Sequence, residues 1–383
     1  MEYNYQPVRS LTQLFTPHTC WIIGAGASYD CISNLEEGCI PLTANLVSQE
    51  DIKPQLQDSL RFLKNAGVLP HDDAMALFGS ALENTIDTLR GLSTCADGAV
   101  STNAGVALKE LVKTIAGRIA MRQMWAMYDW KRDSGPSYSP DNYAWLACTC
   151  TQHSNWSIVT LNYDDLLDWA FRIIRTLGPS IPEPRQFNAW ERSLAALFGG
   201  ETPPLIDGGI YVKLHGSLQL FSCQNNTCPY YRVPYNNLER EDGRMVLRIP
   251  GGVCECSHCR TESAELILPP GKNKTKEESA YHDFVYARAT AALRSSDVWA
   301  ILGYSCPEYD WDVLDLMKRS LESGRPATGR DRSIIVIDPN AVAVAERLSQ
   351  RLDRKVEVRF VNKGFSDFAK PWQPKDDSPE EIA

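Results

Sequence analysis

An apolar run breaks into closely spaced glycines at Cys20-Trp21-Ile22-Ile23-Gly24-Ala25-Gly26-Ala27-Ser28-Tyr29, and few folds accommodate such a stretch. The run predicts a buried strand that enters a tight turn and then a helix. Gly24 and Gly26 carry no Cβ where a ligand's oxygens approach the backbone, and the free N–H groups at a helix start favour negative charge. Strand, glycine turn and helix together make a phosphate-binding geometry. The third glycine of the dinucleotide fingerprint is missing, so a turn that serves packing alone fits the same residues.

The rest of the chain supplies the sheet that such a strand needs. Candidate strands lie at 157–161, 210–214, 264–268, 298–302, 333–337 and 356–360, and helical stretches at 165–177, 278–294, 311–321 and 341–352 fall between them. The alternation predicts an α/β fold, a Rossmann-like, doubly wound, mostly parallel sheet. Between 51 and 130 strand signals are weak. There Leu60, Leu63, Leu82, Ile86, Leu89, Leu108, Leu111, Val112 and Ile115 recur at spacings near three and four, the pattern of amphipathic helices. We therefore expect one Rossmann-like domain over 1–383 with a helical insertion at 51–135, a loop at 91–102 inside it and an exit at 131–141.

Ligands of open α/β sheets bind outside the carboxyl ends of the strands, which makes strand-end residues the functional candidates. They read Thr160-Leu161-Asn162-Tyr163-Asp164, Lys213-Leu214-His215-Gly216-Ser217, Gly303-Tyr304-Ser305-Cys306-Pro307 and Ile337-Asp338-Pro339-Asn340. Each has an ordinary structural role as well. Asn162 and Asp164 can cap the next helix, and a lone histidine commonly satisfies its neighbours' hydrogen bonds. Four polar clusters at successive strand ends nonetheless converge on one cleft.

The chain has twelve cysteines, and its polar first stretch, 1–10, lacks signal-peptide architecture. Reduced thiols in a cytoplasmic protein are expected. Cys223 with Cys228 and Cys256 with Cys259 form two pairs about 27 residues apart, which suits a structural zinc held by four thiolates. The polar segment 221–263 has too little apolar content to fold without a clip. Cys254 and His258 are alternative ligands, and free or redox-active thiols are the alternative to a metal. The net charge of −9 argues against a surface devoted to nucleic acid, with Lys272, Lys274 and Lys276 fitting a solvated loop. No run of about 18 apolar residues offers a membrane span.

Taken in order, the GAGAS, TLNYD, KLHGS and GYS motifs, the cysteine-rich insertion after the histidine and the strand-end Asp338 resemble the sirtuin superfamily over about residues 20–340. The resemblance implies an NAD+-binding Rossmann-like domain with a helical insert and a zinc ribbon, cleaving the bond between nicotinamide and ribose. It implies that Gly24, Ala25, Gly26 and Ser28 hold the pyrophosphate and adjacent ribose. Asn162 and Asp164 would serve the nicotinamide ribose and His215 would be the catalytic base. Gly303, Ser305 and Asp338 would contact the phosphates or the adenosine ribose.

One departure matters. Where deacylases of the superfamily carry a GIPDFR-type loop, this chain has Cys39-Ile40-Pro41-Leu42-Thr43-Ala44-Asn45-Leu46, without the Phe and Arg. That loop, the TxNYD form and the GYSxPxxD ending at Asp310 resemble the bacterial sirtuin-like NAD hydrolases of antiphage defence. The resemblance implies a glycohydrolase with NAD+ as substrate and zinc as a structural cofactor. A protein deacylase or ADP-ribosyltransferase, and a non-catalytic NAD+ or ADP-ribose sensor, are the alternatives. A constantly active enzyme of this kind is toxic, so control is expected from a homo-oligomer or a separately encoded sensor or regulator protein, with 51–130 as the contact surface.

Overall fold

The computed structural model describes residues 6–7, 18–30, 54–68, 82–128, 141–152, 156–168, 170–171, 210–223, 225–228, 235–236, 254–256, 258–268, 276–307, 310–322, 329, 331–353 and 356–369. In chain order the strands are β1 (Gln6–Pro7), β2 (Thr19–Ile23), β3 (Trp156–Thr160), β4 (Ile210–Lys213), β5 (Gly216–Cys223), β6 (Tyr235–Asn236), β7 (Cys254–Glu255), β8 (Glu262–Ile267), β9 (Val298–Leu302), β10 (Ser333–Asp338) and β11 (Glu357–Asn362). The helices, numbered in the same way, are α1 (Ala25–Tyr29), α2 (Pro54–Asn65), α3 (Leu82–Ser93), α4 (Gly98–Tyr128) and α5 (Asp141–Gln152) before β3. After β8 come α6 (Lys276–Ser295), α7 (Trp311–Glu322), α8 (Ala341–Arg351) and α9 (Phe365–Ala369).

The main sheet has the order β1-β11-β10-β9-β2-β3-β4, with every adjacent pair parallel. Leaving aside the two-residue edge strand β1, the sheet strands read 3-2-1-4-5-6 when numbered along the chain. This is the doubly wound Rossmann order, and it reverses direction between β2 and β9.

The pleat explains why these strands are nearly all apolar. Trp21 and Ile23 of β2, Ala300 and Leu302 of β9, and Ile335 and Ile337 of β10 enter one core with Leu60, Ile86, Leu111 and Leu146 of α2 to α5. Their neighbours Cys20, Ile22, Trp299, Ile301, Ile334 and Val336 enter the other, with Ala289, Val313 and Leu348 of α6, α7 and α8. Both faces are covered, so alternation gives way to continuous hydrophobicity. Each large side chain buried in this way contributes roughly 1.5–3 kcal/mol. At the other end of the sheet Arg332 donates to the carbonyls of Arg294, Ser296 and Ser320, so one guanidinium meets the last turns of α6 and α7.

Two expectations need correction. The stretch 91–102 is mostly helical: α3 runs to Ser93 and α4 begins at Gly98, because the Asp97 carboxylate accepts from the amides of Ala99 and Val100 and starts the helix. The strand expected at 264–268 is β8, and it does not join the parallel sheet. It pairs antiparallel with β5 and β7 in a four-stranded sheet ordered β6-β5-β8-β7. The loop 39–46, Lys272 and Lys274, and most of the helix expected at 165–177 lie outside the described residues.

Where the sheet reverses, main chain meets main chain. Gly24 N–H donates to the carbonyl of Leu302, Gly26 N–H to that of Gly303, and Gly303 N–H to that of Ile337. A Cβ on Gly24 would stand 2.6 Å from the Gly303 oxygen, and one on Gly303, whose φ is +60°, would press into the Ala27 amide. Gly303→Ala therefore combines a left-handed backbone with an overpacked crossing and is expected to cost roughly 2–5 kcal/mol. Gly67 has φ +72° but open space around it, so Gly67→Ala is expected to cost only roughly 1–2 kcal/mol. Urea denaturation of the two variants checks the difference; equal losses would show that the crossing is not the constraint.

Candidate functional site

The turn after β2 and the turn after β3 are joined side by side at the point of reversal. Leu161 N–H donates to the Ile23 carbonyl at 2.9 Å, which brings Asn162 beside Gly24 and Ser28. The Asn162 Nδ2 donates to the Gly24 carbonyl at 3.0 Å and to Ser28 Oγ at 2.8 Å, with the Tyr143 hydroxyl at 3.3 Å. Ser28 Oγ and the Tyr143 hydroxyl are themselves 2.8 Å apart. Ser28 is fully buried and its hydroxyl also hydrogen-bonds the Asp164 carboxylate. With Asp164 ionised, Ser28 donates to it and accepts from Asn162 and Tyr143.

Asp164 is buried, and its Oδ1 accepts the Leu166 amide at 3.1 Å, starting the helical turn at 166. Burial raises its pKa above the ordinary carboxylate value, opposed by the Lys213 ammonium and the Ser28 hydroxyl. Behind it lie Asp165 and Asp168, also buried. Lys213 at the end of β4 donates to Asp168 Oδ2 at 2.9 Å and to the main-chain oxygen of Asp164, and it lies 3.7 Å from Asp165 Oδ1. Burial pushes Asp165 up to about 6, against the pull of Lys213. Burial also works against the charge of Lys213, but Asp168, Asp165 and Asp164 outweigh it and raise its pKa.

His215 lies two residues past the end of β4 and is buried. Its ring lies 6.1 Å from that of Tyr163, and its carbonyl accepts the Leu268 amide at 2.8 Å. The Tyr163 hydroxyl donates to the Leu268 carbonyl at 3.3 Å. Gly303 lies at the crossing, and the exposed Ser305 sits in a loop whose Ser305, Cys306 and Pro307 carbonyls accept from Arg347 and Arg351 of α8. Asp338 ends β10 half-buried and accepts the Asn340 amide at 2.8 Å.

The structure thus brings Gly24, Ser28, Asn162 and Asp164 into direct contact. Gly303 touches Gly26, and His215 stands one strand away beside Tyr163. The missing Cβ atoms of Gly24 and Gly26 are accounted for by the Gly303 main chain. Tyr143, Asp165 and Asp168 escaped the sequence reading, and Lys213 entered it only as a member of KLHGS, without a role. Lys213 lies inside KLHGS, and Asp165 follows TLNYD at once, so those motifs carried a signal; Tyr143, on α5, carried none.

The small sheet holds the metal candidate. The sulfurs of Cys223, Cys228, Cys256 and Cys259 lie within 4.8 Å of one another, with Cys223 and Cys259 3.4 Å apart and Cys228 and Cys256 3.7 Å apart. A tetrahedral zinc at about 2.3 Å from each sulfur separates them by about 3.8 Å, so the set fits the ion. The Asn225 amide reaches Cys223 Sγ at 3.4 Å, and hydrogen bonds from Thr261 pull the Cys259 thiol down to about 6. His258 is exposed and stands outside this cluster.

No family model and no curated protein matches the chain. Among solved structures it is similar to a Sir2 homologue–NAD complex, at 12% identity over 96% of this chain and 94% of that one, with a TM-score of 0.41. It is also similar to a Sir2–p53 peptide–NAD+ complex, at 12% identity over 92% and 90%, with a TM-score of 0.39. A mutant Sir2 homologue–ADP ribose complex matches at 13% identity over 90% and 95%, with a TM-score of 0.39. The fold assignment rests on the strand order and register given above.

Four thiolates of one clip act together, so Cys256→Ser is expected to abolish bound zinc and to melt the small sheet before the main one. Metal analysis with a thermal melt checks this. A zinc-free wild-type protein with an unchanged melt would remove the clip.

Proposed function

We propose that the chain is an NAD+ glycohydrolase, splitting NAD+ into nicotinamide and ADP-ribose in the cytoplasm as an effector of antiphage defence. The observation that supports this most is the convergence of Asn162, Asp164 and Ser28 where the sheet order reverses, the place at which doubly wound folds take their ligands. Loss of nicotinamide leaves an oxocarbenium-like ribose. A buried carboxylate such as Asp164 stabilises that charge more strongly than one in water would. Asn162 orients the leaving carboxamide or the attacking water, and His215 takes a proton from that water or from a ribose hydroxyl. Gly24, Ala25 and Gly26 line the pyrophosphate side, and Gly303, Ser305 and Asp338 the adenosine side.

The zinc clip carries no open coordination position in this reading: all four ligands are thiolates, and its part is to hold the small sheet. When bound, the ion supplies structural cross-linking alone. Control by self-assembly or by a separate regulator acting on α2 to α4 belongs to the same proposal. Phe62, Val106 and Met121 leave apolar surface on that module. No described helix is long and apolar enough to cross a membrane.

Incubation of the purified protein with NAD+ decides among the activities. Free ADP-ribose without any peptide supports the glycohydrolase, strict peptide dependence a deacylase or ADP-ribosyltransferase, and binding without turnover a sensor. His215→Ala is expected to bind NAD+ with near wild-type affinity while the rate falls by roughly 10²–10⁴. Lost stability with intact turnover would take His215 out of the chemistry. Asn162→Ala also loses its bonds to Gly24 and Ser28, so its turnover is read per folded molecule; it is expected below roughly a tenth of wild type.

A further inference from the structure

Two groups grip the Asn162–Asp164 turn from opposite sides. On one side stand Ser28 of α1 and Tyr143 of α5. On the other stands Lys213, which reaches back across 49 residues to the main-chain oxygen of Asp164. The surroundings of that ammonium are set by four elements. Asp168 Oδ2 accepts from Lys213 at 2.9 Å and from the Tyr211 hydroxyl of β4 at 3.1 Å. Asp165 accepts from Gln123 of α4 and from Ser217 of β5, each at 3.2 Å, with Lys213 at 3.7 Å. Lys213, Asp164, Asp165 and Asp168 are all buried, as are Tyr211, Gln123 and Ser217.

A buried ion cluster is a weak device for stability, because removing charges from water costs about as much as their attraction returns. This one binds the carbonyl of the very residue whose carboxylate meets Ser28. We propose that Lys213 is a positioning residue: by holding the Asp164 carbonyl and balancing Asp165 and Asp168, its ammonium sets where the Asn162 amide and the Asp164 carboxylate sit. The proposal rests on the reading that these two groups act on NAD+. It adds a residue that itself touches no substrate and works through the main chain. Lys213 is also the first influence opposing the rise that burial imposes on Asp164, so its loss leaves that carboxyl harder to ionise.

The test uses Lys213→Met and the double variant Lys213→Met/Asp168→Asn, which removes a positive and a negative charge together. In the single variant NAD+ turnover is expected to fall at least tenfold per folded molecule, with the acidic limb of its pH profile moving up as Asp164 loses its cation. Amide hydrogen exchange is expected to quicken at 161–168 and to stay slow in β10. The double variant is expected to regain the melting temperature while turnover stays low, since the bond to the Asp164 carbonyl is still absent. An unchanged pH profile and turnover in both variants, or exchange quickened equally throughout the sheet, would overturn the proposal and leave Lys213 a packing residue. If the wild type shows no NAD+ turnover, the glycohydrolase reading fails, and the exchange pattern still decides whether Lys213 holds the turn.

Discussion

The main-chain crossing between the turn after β2 and Gly303 after β9 is the contact on which the site depends. Three glycines are needed there because each backbone occupies the place of another's Cβ. The crossing draws the carboxyl ends of β2 and β9 together at the reversal of strand order. It also sets the height of α1, and so delivers Ser28 to Asn162. The packing requirement of the glycines is visible in the contacts.

Around that crossing the polar groups form a connected buried network running from Tyr143 through Ser28, Asn162 and Asp164 to Lys213, Asp168 and Tyr211. Such a network is favourable only when its members are satisfied, because each orphaned buried group costs roughly 1–3 kcal/mol. Two buried carboxylates here, Asp164 and Asp165, pull against folding as they ionise. Asp165 moves from 3.8 to about 6 on burial, so between those values the folded chain holds a proton that the unfolded chain has released. Raising the pH through that window removes stability. This cost falls at the place where the strand-end motifs gather.

The sheet was legible because its signal is local. The strand at 298–302 and the helix beginning at Trp311 follow from periodicity within a few residues. What escaped depends on long-range contact. Lys213 meets Asp168 across 45 positions, and Tyr143 meets Ser28 across 115, with no spacing rule to link them. The residues of β8 suit a strand, but a six-residue strand does not reveal whether its partner runs parallel or antiparallel. The short α9 was missed because its identity is set by partners elsewhere: Phe365 and Phe368 pack on Trp145, and Asp30 accepts the Ser366 amide. At the site itself, the clusters ending β3 and β4 were legible as motifs, while the bonds that orient them were not.

The place where the cysteine-bearing sheet joins the main sheet gives it a consequence beyond its own stability. β5 leaves directly from His215 through Gly216, whose φ of +83° turns the chain, and β8 returns to Leu268, whose amide binds the His215 carbonyl. Leu268 in turn accepts the Tyr163 hydroxyl. β5, which bears Cys223, and β8, which follows Cys259, therefore both meet the main sheet at the His215 main chain. The register between β5 and β8 shifts between Gly216 and Phe221, and the four sulfurs lie at the far end of the pair. A clip that merely folded a separate lobe would have no need to begin and end at His215. The four-cysteine cluster and His215 are thus joined through the same pair of strands.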